Sequence, residues 1–231
     1  MRVEHIGNAT LILADCMDIM RDMPDKAFDL AIVDPPYGIG ASEMVMGKGK
    51  NKEWDNHRKW DDTTPTREYF DSLMRVSEKQ IIWGGNYFNL PKTGGWIFWD
   101  KEREKDISFS DGELAWTSFL SVIKKAPIRF DGFIGADPFR IHPTQKPVAL
   151  YKWLLSRYAK PGDTILDTHG GSGSSVIACL DMGYSITWIE KDVNYFEAAL
   201  KRIKDFAAQP KLPMDDTPEP VEQWLGFEEE L

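Results

Sequence analysis

Cysteine and histidine are both scarce in this sequence. Cys16 and Cys179 are the only two cysteines, too few for a disulfide framework or a thiolate metal cluster. They read as small buried apolar residues, the usual state of a free cysteine. The four histidines, His5, His57, His142 and His169, show no ligand-like spacing, so no metal is expected. Long apolar runs are missing too, since none approaches the ~20 residues needed to span a bilayer. The first residues lack the charged-then-apolar layout of a signal peptide. A cytoplasmic protein without a membrane partner is therefore expected.

Positive charge is the third shortage. The formal net charge is −9, the wrong sign for a protein that neutralises phosphates with Lys and Arg. Its distribution changes that reading. Seven of the acids (Asp215, Asp216, Glu219, Glu222, Glu228, Glu229 and Glu230) fall between Asp215 and Leu231 with no base among them. Taking those seven from the −9 total leaves −2 for the rest, and a near-neutral body can still carry a basic face. Lys48, Lys50, Lys52, Arg58 and Lys59 stand against only Glu53 and Asp55, with Trp54 and Trp60 interleaved. That mixture suits phosphate contact and insertion beside a displaced base, while the overall balance argues against strong non-specific binding.

What is present is an ordinary globular composition, 42% apolar and 28% charged over 231 residues, enough to bury one core. We expect a single α/β domain over 1–208 and an acid- and Pro-rich mobile tail over 209–231, with Trp224, Leu225 and Phe227 as possible docking residues within it. Short β-branched runs alternate with helical patterns, as in a parallel sheet with crossover helices. The strand candidates are Ala9–Ala14, Asp29–Asp34, Gln80–Trp83, Trp96–Trp99, Gly112–Phe119, Thr164–Asp167 and Ser185–Glu190. The helix candidates are Met17–Met23, Arg67–Val76, Val148–Ala159, Ser174–Met182 and Val193–Phe206. Two stretches, Gly38–Thr66 and Lys101–Ile141, carry little periodicity, and long segments of that kind are commonly functional or disordered.

Three motifs carry chemistry. Asp34-Pro35-Pro36-Tyr37 follows the apolar run Asp29–Val33, and ligands of open parallel sheets sit beyond the carboxyl ends of the strands. An exocyclic amino nitrogen is a poor nucleophile because its lone pair is delocalised into the ring. The Asp34 carboxylate and the Pro35 carbonyl can each accept one of its N–H bonds and turn the lone pair toward an electrophile. The prolines hold the backbone extended and bring no competing N–H, and Tyr37 offers a ring for stacking. The bland alternative is a Pro-Pro turn with a surface Asp and Tyr. The second motif, Asp167-Thr168-His169-Gly170-Gly171-Ser172-Gly173-Ser174-Ser175, is a strand, a glycine loop and a helix start. Such a loop admits a ligand close to free N–H donors. Glu190 ends the next strand, where a carboxylate accepts ribose hydroxyls. By itself this pattern does not separate a methyl donor from a dinucleotide. The third is His142-Pro143-Thr144-Gln145-Lys146-Pro147, a rigid loop before a helix. Its Thr144 and Lys146 suit a ligand carboxylate, or are solvated.

Together these blocks resemble the DNA amino-methyltransferases, in the permuted beta class, where Asp-Pro-Pro-Tyr comes first, recognition sequence follows and the cofactor loop lies toward the C-terminus. The resemblance runs from about Ala9 to Phe206, and Leu13–Met17 looks like the family's opening strand and its acid, Asp15. It implies a Rossmann-like α/β methyltransferase fold with seven mostly parallel strands and helices on both faces, S-adenosylmethionine as cofactor, and base flipping from double-stranded DNA. It implies Asp34, Pro35, Pro36 and Tyr37 as the catalytic block holding the target base. Asp15, Asp34, His142, Thr144 and Lys146 would line the cofactor with Asp167, His169, Gly171, Ser172, Gly173, Ser174 and Glu190. The DNA-contact candidates are Lys48, Lys50, Lys52, Trp54, Arg58 and Lys59, with Lys101–Ile141 as the alternative recognition region. A homodimer sharing the DNA surface is expected. Asp first and Tyr fourth in the tetrad favour adenine N6, with cytosine N4 as runner-up and a non-catalytic DNA-binding protein that kept the fold as the further alternative. The family usually has Asp-Pro-Phe where this chain has Asp167-Thr168-His169, which reads as a flat-ring exchange or else as an altered pocket. Direct displacement needs no thiolate, unlike attack at carbon 5 of cytosine, and neither cysteine lies in a Pro-Cys loop.

Overall fold

The computed structural model describes residues 1–40, 61–103, 110–130, 141–142 and 144–210. In chain order the elements are β1 (Arg2–Ile6), β2 (Ala9–Leu13), α1 (Cys16–Asp22), β3 (Phe28–Val33), α2 (Arg67–Val76) and β4 (Ser77–Trp83). They continue with β5 (Trp96–Asp100), β6 (Gly112–Thr117), β7 (Lys124–Pro127), α3 (Val148–Tyr158), β8 (Thr164–Asp167), α4 (Ser174–Met182), β9 (Ser185–Glu190) and α5 (Val193–Ala207). A one-turn 3-10 helix, Gly85–Tyr87, follows β4. The basic stretch from Lys48 to Lys59, with Trp54, and the acidic tail from residue 211 lie outside the described residues.

All these strands join one sheet in the order β1-β2-β9-β8-β3-β4-β6-β5-β7. The neighbours from β2 to β4 pair in parallel, whereas β1 runs antiparallel to β2 and β6 antiparallel to both β4 and β5. The resemblance implied seven strands, and the described sheet has nine. The seven sequence candidates all form, and the two additions, β1 and β7, are its edges. Their chemistry explains why no pattern marked them. The burial of β1 shows no apolar face, and the run Lys-Lys-Ala-Pro of β7 buries only Ala126. An edge strand can be held by backbone hydrogen bonds to one neighbour without an apolar stripe.

The central strands alternate as the pleat demands. Leu30 and Ile32 of β3 join Ile165, Ile186 and Trp188 under the helices α3, α4 and α5. Ala31 and Val33 join Ile82, Leu166 and Ile189 under α1 and α2. Helix starts follow local capping chemistry. Asp15 accepts from the Met17 amide at the start of α1, and Asp192 accepts from Asn194 and Tyr195 at the start of α5. The apolar stripe of α5, Phe196, Ala199, Leu200 and Ile203, is buried. The chain leaves β3 through α2 to β4 on one side and leaves β8 through α4 to β9 on the other. Ligands of such sheets bind where the winding reverses, here between β3 and β8.

Candidate active site

Asp34 stands one residue past β3 and Asp167 ends β8, and the two strands pair directly, Leu30 with Ile165 and Ala31 with Leu166. Both carboxylates therefore face one crevice. The tetrad is fixed by a residue distant in sequence. Asp61, 1% exposed, accepts hydrogen bonds from the Tyr37 and Gly38 amides at 2.6 and 3.0 Å. The Tyr37 hydroxyl donates to Asp34 Oδ1 at 2.5 Å, and its ring stacks on Tyr87 at 5.1 Å with Phe88 edge-on at 6.1 Å. Gly84 makes that ring position available. Its φ is +66°, and a Cβ there would lie 2.2 Å from the Tyr37 ring.

A chain of buried charge runs through the crevice. Lys101 Nζ lies 2.8 Å from Glu113 Oε1, Glu113 Oε2 lies 3.1 Å from Lys146 Nζ, and Lys146 Nζ lies 2.5 Å from Asp34 Oδ2. Lys146 also donates to the Tyr37 hydroxyl at 3.2 Å and sits over the Trp83 and Tyr37 rings at 5.3 and 5.7 Å. The two acids respond differently. Burial pushes the Asp34 carboxyl up, and Lys146 opposes this without cancelling it. Burial would push Glu113 up as well, but Lys146 and Lys101 together overcome it and hold the group down at about 2. Among the described residues one lysine pairs with Asp34, and that lysine is shared.

On the β8 side, the glycine loop is tied down by carboxylates. Asp167 accepts from Ser175 Oγ at 2.6 Å and from the His169 amide at 3.1 Å. Glu190 accepts from the amides of Gly171 and Asp192, each at 2.8 Å. Gly170 leaves no room for a side chain, because a Cβ would lie 2.0 Å from the Trp188 indole. Ser172 and Ser174 hydroxyls meet at 3.1 Å, and Arg202 donates to the Ser172 carbonyl at 2.7 Å. The Ala14 amide donates to the Glu190 carbonyl at 3.1 Å, which brings Asp15 to the same end of the sheet. His142 packs against Tyr195 at 4.4 Å, beside Gly171, and accepts from the Thr144 amide at 3.3 Å.

Burial lowers the His169 imidazole to about 3, so it is a neutral flat ring at neutral pH. It lies within hydrogen-bond distance of Thr168 Oγ1, at 3.0 Å, and edge-on to Tyr69 at 5.1 Å. Burial also raises both thiols, Cys16 to about 12, so neither is a thiolate at neutral pH.

Burial pushes the Asp167 carboxyl up from 3.8 to about 7, against the hydrogen bonds from Ser175 and His169. The folded protein thus keeps this proton up to about pH 7, while the unfolded chain releases it near 3.8. With more protons on the folded state, stability falls as pH rises across that window. Urea midpoints for the wild type and Asp167→Asn between pH 4 and 8 check this. The variant is expected to show a shallower downward trend, the raised Asp34 and Glu190 carboxyls still contributing, and an unchanged slope would contradict the assignment.

With this geometry established, comparison with known proteins is informative. The family model described as DNA methylase, for N6/N4 methyltransferases, matches residues 82–201, just over half of the chain. This chain belongs to the DNA methylase family. The methylase is 23% identical to the type II methyltransferase M.HpaI of Haemophilus parainfluenzae, over 84% of this chain and 73% of that protein. Its fold matches the solved M1.HpyAVI–SAM complex with a TM-score of 0.54 at 22% identity, covering 84% of this chain and 99% of the other. It matches the PvuII DNA methyltransferase, described as cytosine-N4-specific, with the same TM-score at 14% identity, covering 87% and 91%. The Rossmann-like methyltransferase fold expected from the sequence is thus the observed one.

The methylase brings most of the sequence candidates together. Asp34, Pro35, Pro36 and Tyr37 stand at one side of the β3–β8 crevice, and Asp167, His169, Gly171, Ser172, Gly173, Ser174 and Glu190 at the other. Thr144 and Lys146, read as a pair on a ligand carboxylate, diverge. Thr144 turns to His142, while Lys146 turns to Asp34 and Glu113. Sequence reasoning missed Asp61, Lys101, Glu113, Tyr87 and Phe88. The signal available for Glu113 was its place as the one charged residue of the β6 run Gly112–Thr117.

Proposed function

We propose that this methylase transfers the methyl group of S-adenosylmethionine to N6 of an adenine turned out of double-stranded DNA. The observation that carries the reading is the direct parallel pairing of β3 with β8. It supports a single cleft holding the tetrad and the glycine loop. The residues fit the cofactor chemically: Glu190 and Asp15 offer carboxylates at neighbouring strand ends, and Gly171 to Ser174 offer backbone beside the start of α4. When bound, S-adenosylmethionine would supply an electrophilic methyl group, the sulfur keeping the bonding pair as S-adenosylhomocysteine leaves. The M1.HpyAVI complex contains that molecule, and the PvuII enzyme acts on cytosine N4, which keeps cytosine as the alternative base.

The protein's own part is positioning. Asp34 accepts one N–H of the amine and the Pro35 carbonyl accepts the other, so the lone pair points away from both. As the nitrogen–carbon bond forms, the amine gains positive charge, which the Asp34 carboxylate stabilises. The surplus proton then leaves to Asp34 or water. Tyr37 stacks on Tyr87 with Phe88 edge-on, aromatic surface beside Asp34 that supports stacking of a displaced base. Extruding a base costs a few kcal/mol, and stacking returns about 1–3 kcal/mol. Holding both reactants in line contributes up to ~7–11 kcal/mol, so geometry outweighs acid–base strength here. We place the enzyme in the cytoplasm and assign it a homodimeric state.

Incubation with methyl-labelled cofactor and mixed-sequence duplex DNA, followed by digestion to nucleosides, tests this reading. Label is expected in N6-methyldeoxyadenosine. Label in N4-methyldeoxycytidine would move the target to cytosine, and unlabelled DNA would overturn the proposal.

A further inference from the structure

Among the described residues Lys146 has two carboxylates to serve, and it has little access to water. Its side chain is 3% exposed, held between Asp34 on one side and Glu113 on the other, with aromatic rings over it. Glu113 belongs to β6, beyond β4 from β3, and its other oxygen is occupied by Lys101, itself 8% exposed. A buried ammonium with a single carboxylate neighbour would concentrate its charge there. With two neighbours it divides its N–H groups and its field between them.

We propose that Glu113 is a positioning residue for methyl transfer, sharing the Lys146 ammonium with Asp34 so that Asp34 keeps acceptor strength for the target amine. The inference rests on the methyl-transfer reading above. An Asp34 carboxylate fully neutralised by Lys146 would attract the amine N–H weakly. Without Glu113, Lys101 and Lys146 together would face Asp34, an excess of positive charge beside a nitrogen that becomes positive during the reaction. Glu113 offsets both penalties through its contacts with Lys146 and Lys101.

Among the described residues, the charged and titratable groups facing Asp34 are Lys146 and Tyr37 in contact, Glu113 behind Lys146, Asp167 at the end of β8 and Tyr151 on α3. Among these, Glu113 raises the Asp34 carboxyl and Lys146 lowers it. Removing either changes the ionisation of Asp34, and the two removals act in opposite directions. Glu113→Gln takes away a negative neighbour, so the acid limb of kcat/KM moves to lower pH. Lys146→Met takes away the cation, so the limb moves to higher pH.

The test is the pH profile of DNA methylation by the full chain, with the cofactor dissociation constant measured in parallel. For Glu113→Gln we expect kcat to fall about 10- to 100-fold, less than for a group in direct contact. The cofactor constant should stay within about twofold, and the acid limb should shift downward. A packing role alone would leave the limb in place. Should Glu113→Gln fail to fold, Glu113→Asp is read instead, since it withdraws the charge by one methylene. A lowered kcat with a downward shift supports the sharing, and wild-type values for both overturn it. Wild-type enzyme that labels no DNA refutes the functional reading and takes this inference with it. A fully active wild type matched by Glu113→Gln in rate and limb refutes this inference alone.

Discussion

Asp34→Ala is expected to lower DNA methylation about 10²- to 10³-fold, the scale of losing a preorganised electrostatic contact at a reacting centre. Cofactor binding should stay within about threefold. The change removes the acceptor for the target amine while leaving Glu190 and the glycine loop on the far side of the crevice intact. Lys146 is not stranded by it, because Glu113 and the Tyr37 hydroxyl remain as partners at 3.1 and 3.2 Å. Loss of activity can therefore be separated from loss of fold by circular dichroism and by calorimetric titration with the cofactor. A variant that methylates DNA at the wild-type rate would show that the tetrad does not hold the amine.

Glu190→Ala should have the second largest effect, and in the complementary place. Both oxygens of Glu190 anchor the backbone, one at the Gly171 amide and one at Asp192. A carboxylate can accept further donors while holding these two. Truncation removes the intended ribose acceptor and unties the glycine loop at once. Hydrogen bonds to a charged group contribute about 1.5–3 kcal/mol each. Losing two corresponds to a cofactor constant raised about 100-fold or more. Calorimetry with S-adenosylhomocysteine checks this, and a constant within twofold of wild type would remove Glu190 from the cofactor site.

The parts legible in the sequence are those whose chemistry is local. The apolar runs of β3 and β8, each closed by an Asp, carry their own period, and the glycines after Asp167 mark a tight strand-to-helix turn. The helices from Arg67, Val148 and Ser174 start where their patterns start. What escaped depends on contacts between distant segments. Asp61 clamps the amides of Tyr37 and Gly38 across more than twenty residues, and nothing around it in sequence distinguishes it from its neighbour Asp62. Glu113 and Lys146 meet only because β6 joins the sheet beyond β4. The edges β1 and β7 lack an apolar stripe, so periodicity had nothing to report. His169 is buried, and that burial keeps its imidazole neutral.

A crystal structure of the protein with S-adenosylhomocysteine and a duplex bearing its target base would test the account most directly. The exocyclic nitrogen should lie about 3 Å from both the Asp34 carboxylate and the Pro35 carbonyl, with the thioether sulfur behind it on the Gly171–Ser174 side. A base seated away from Asp34, or a cofactor bound outside the crevice between β3 and β8, would contradict it.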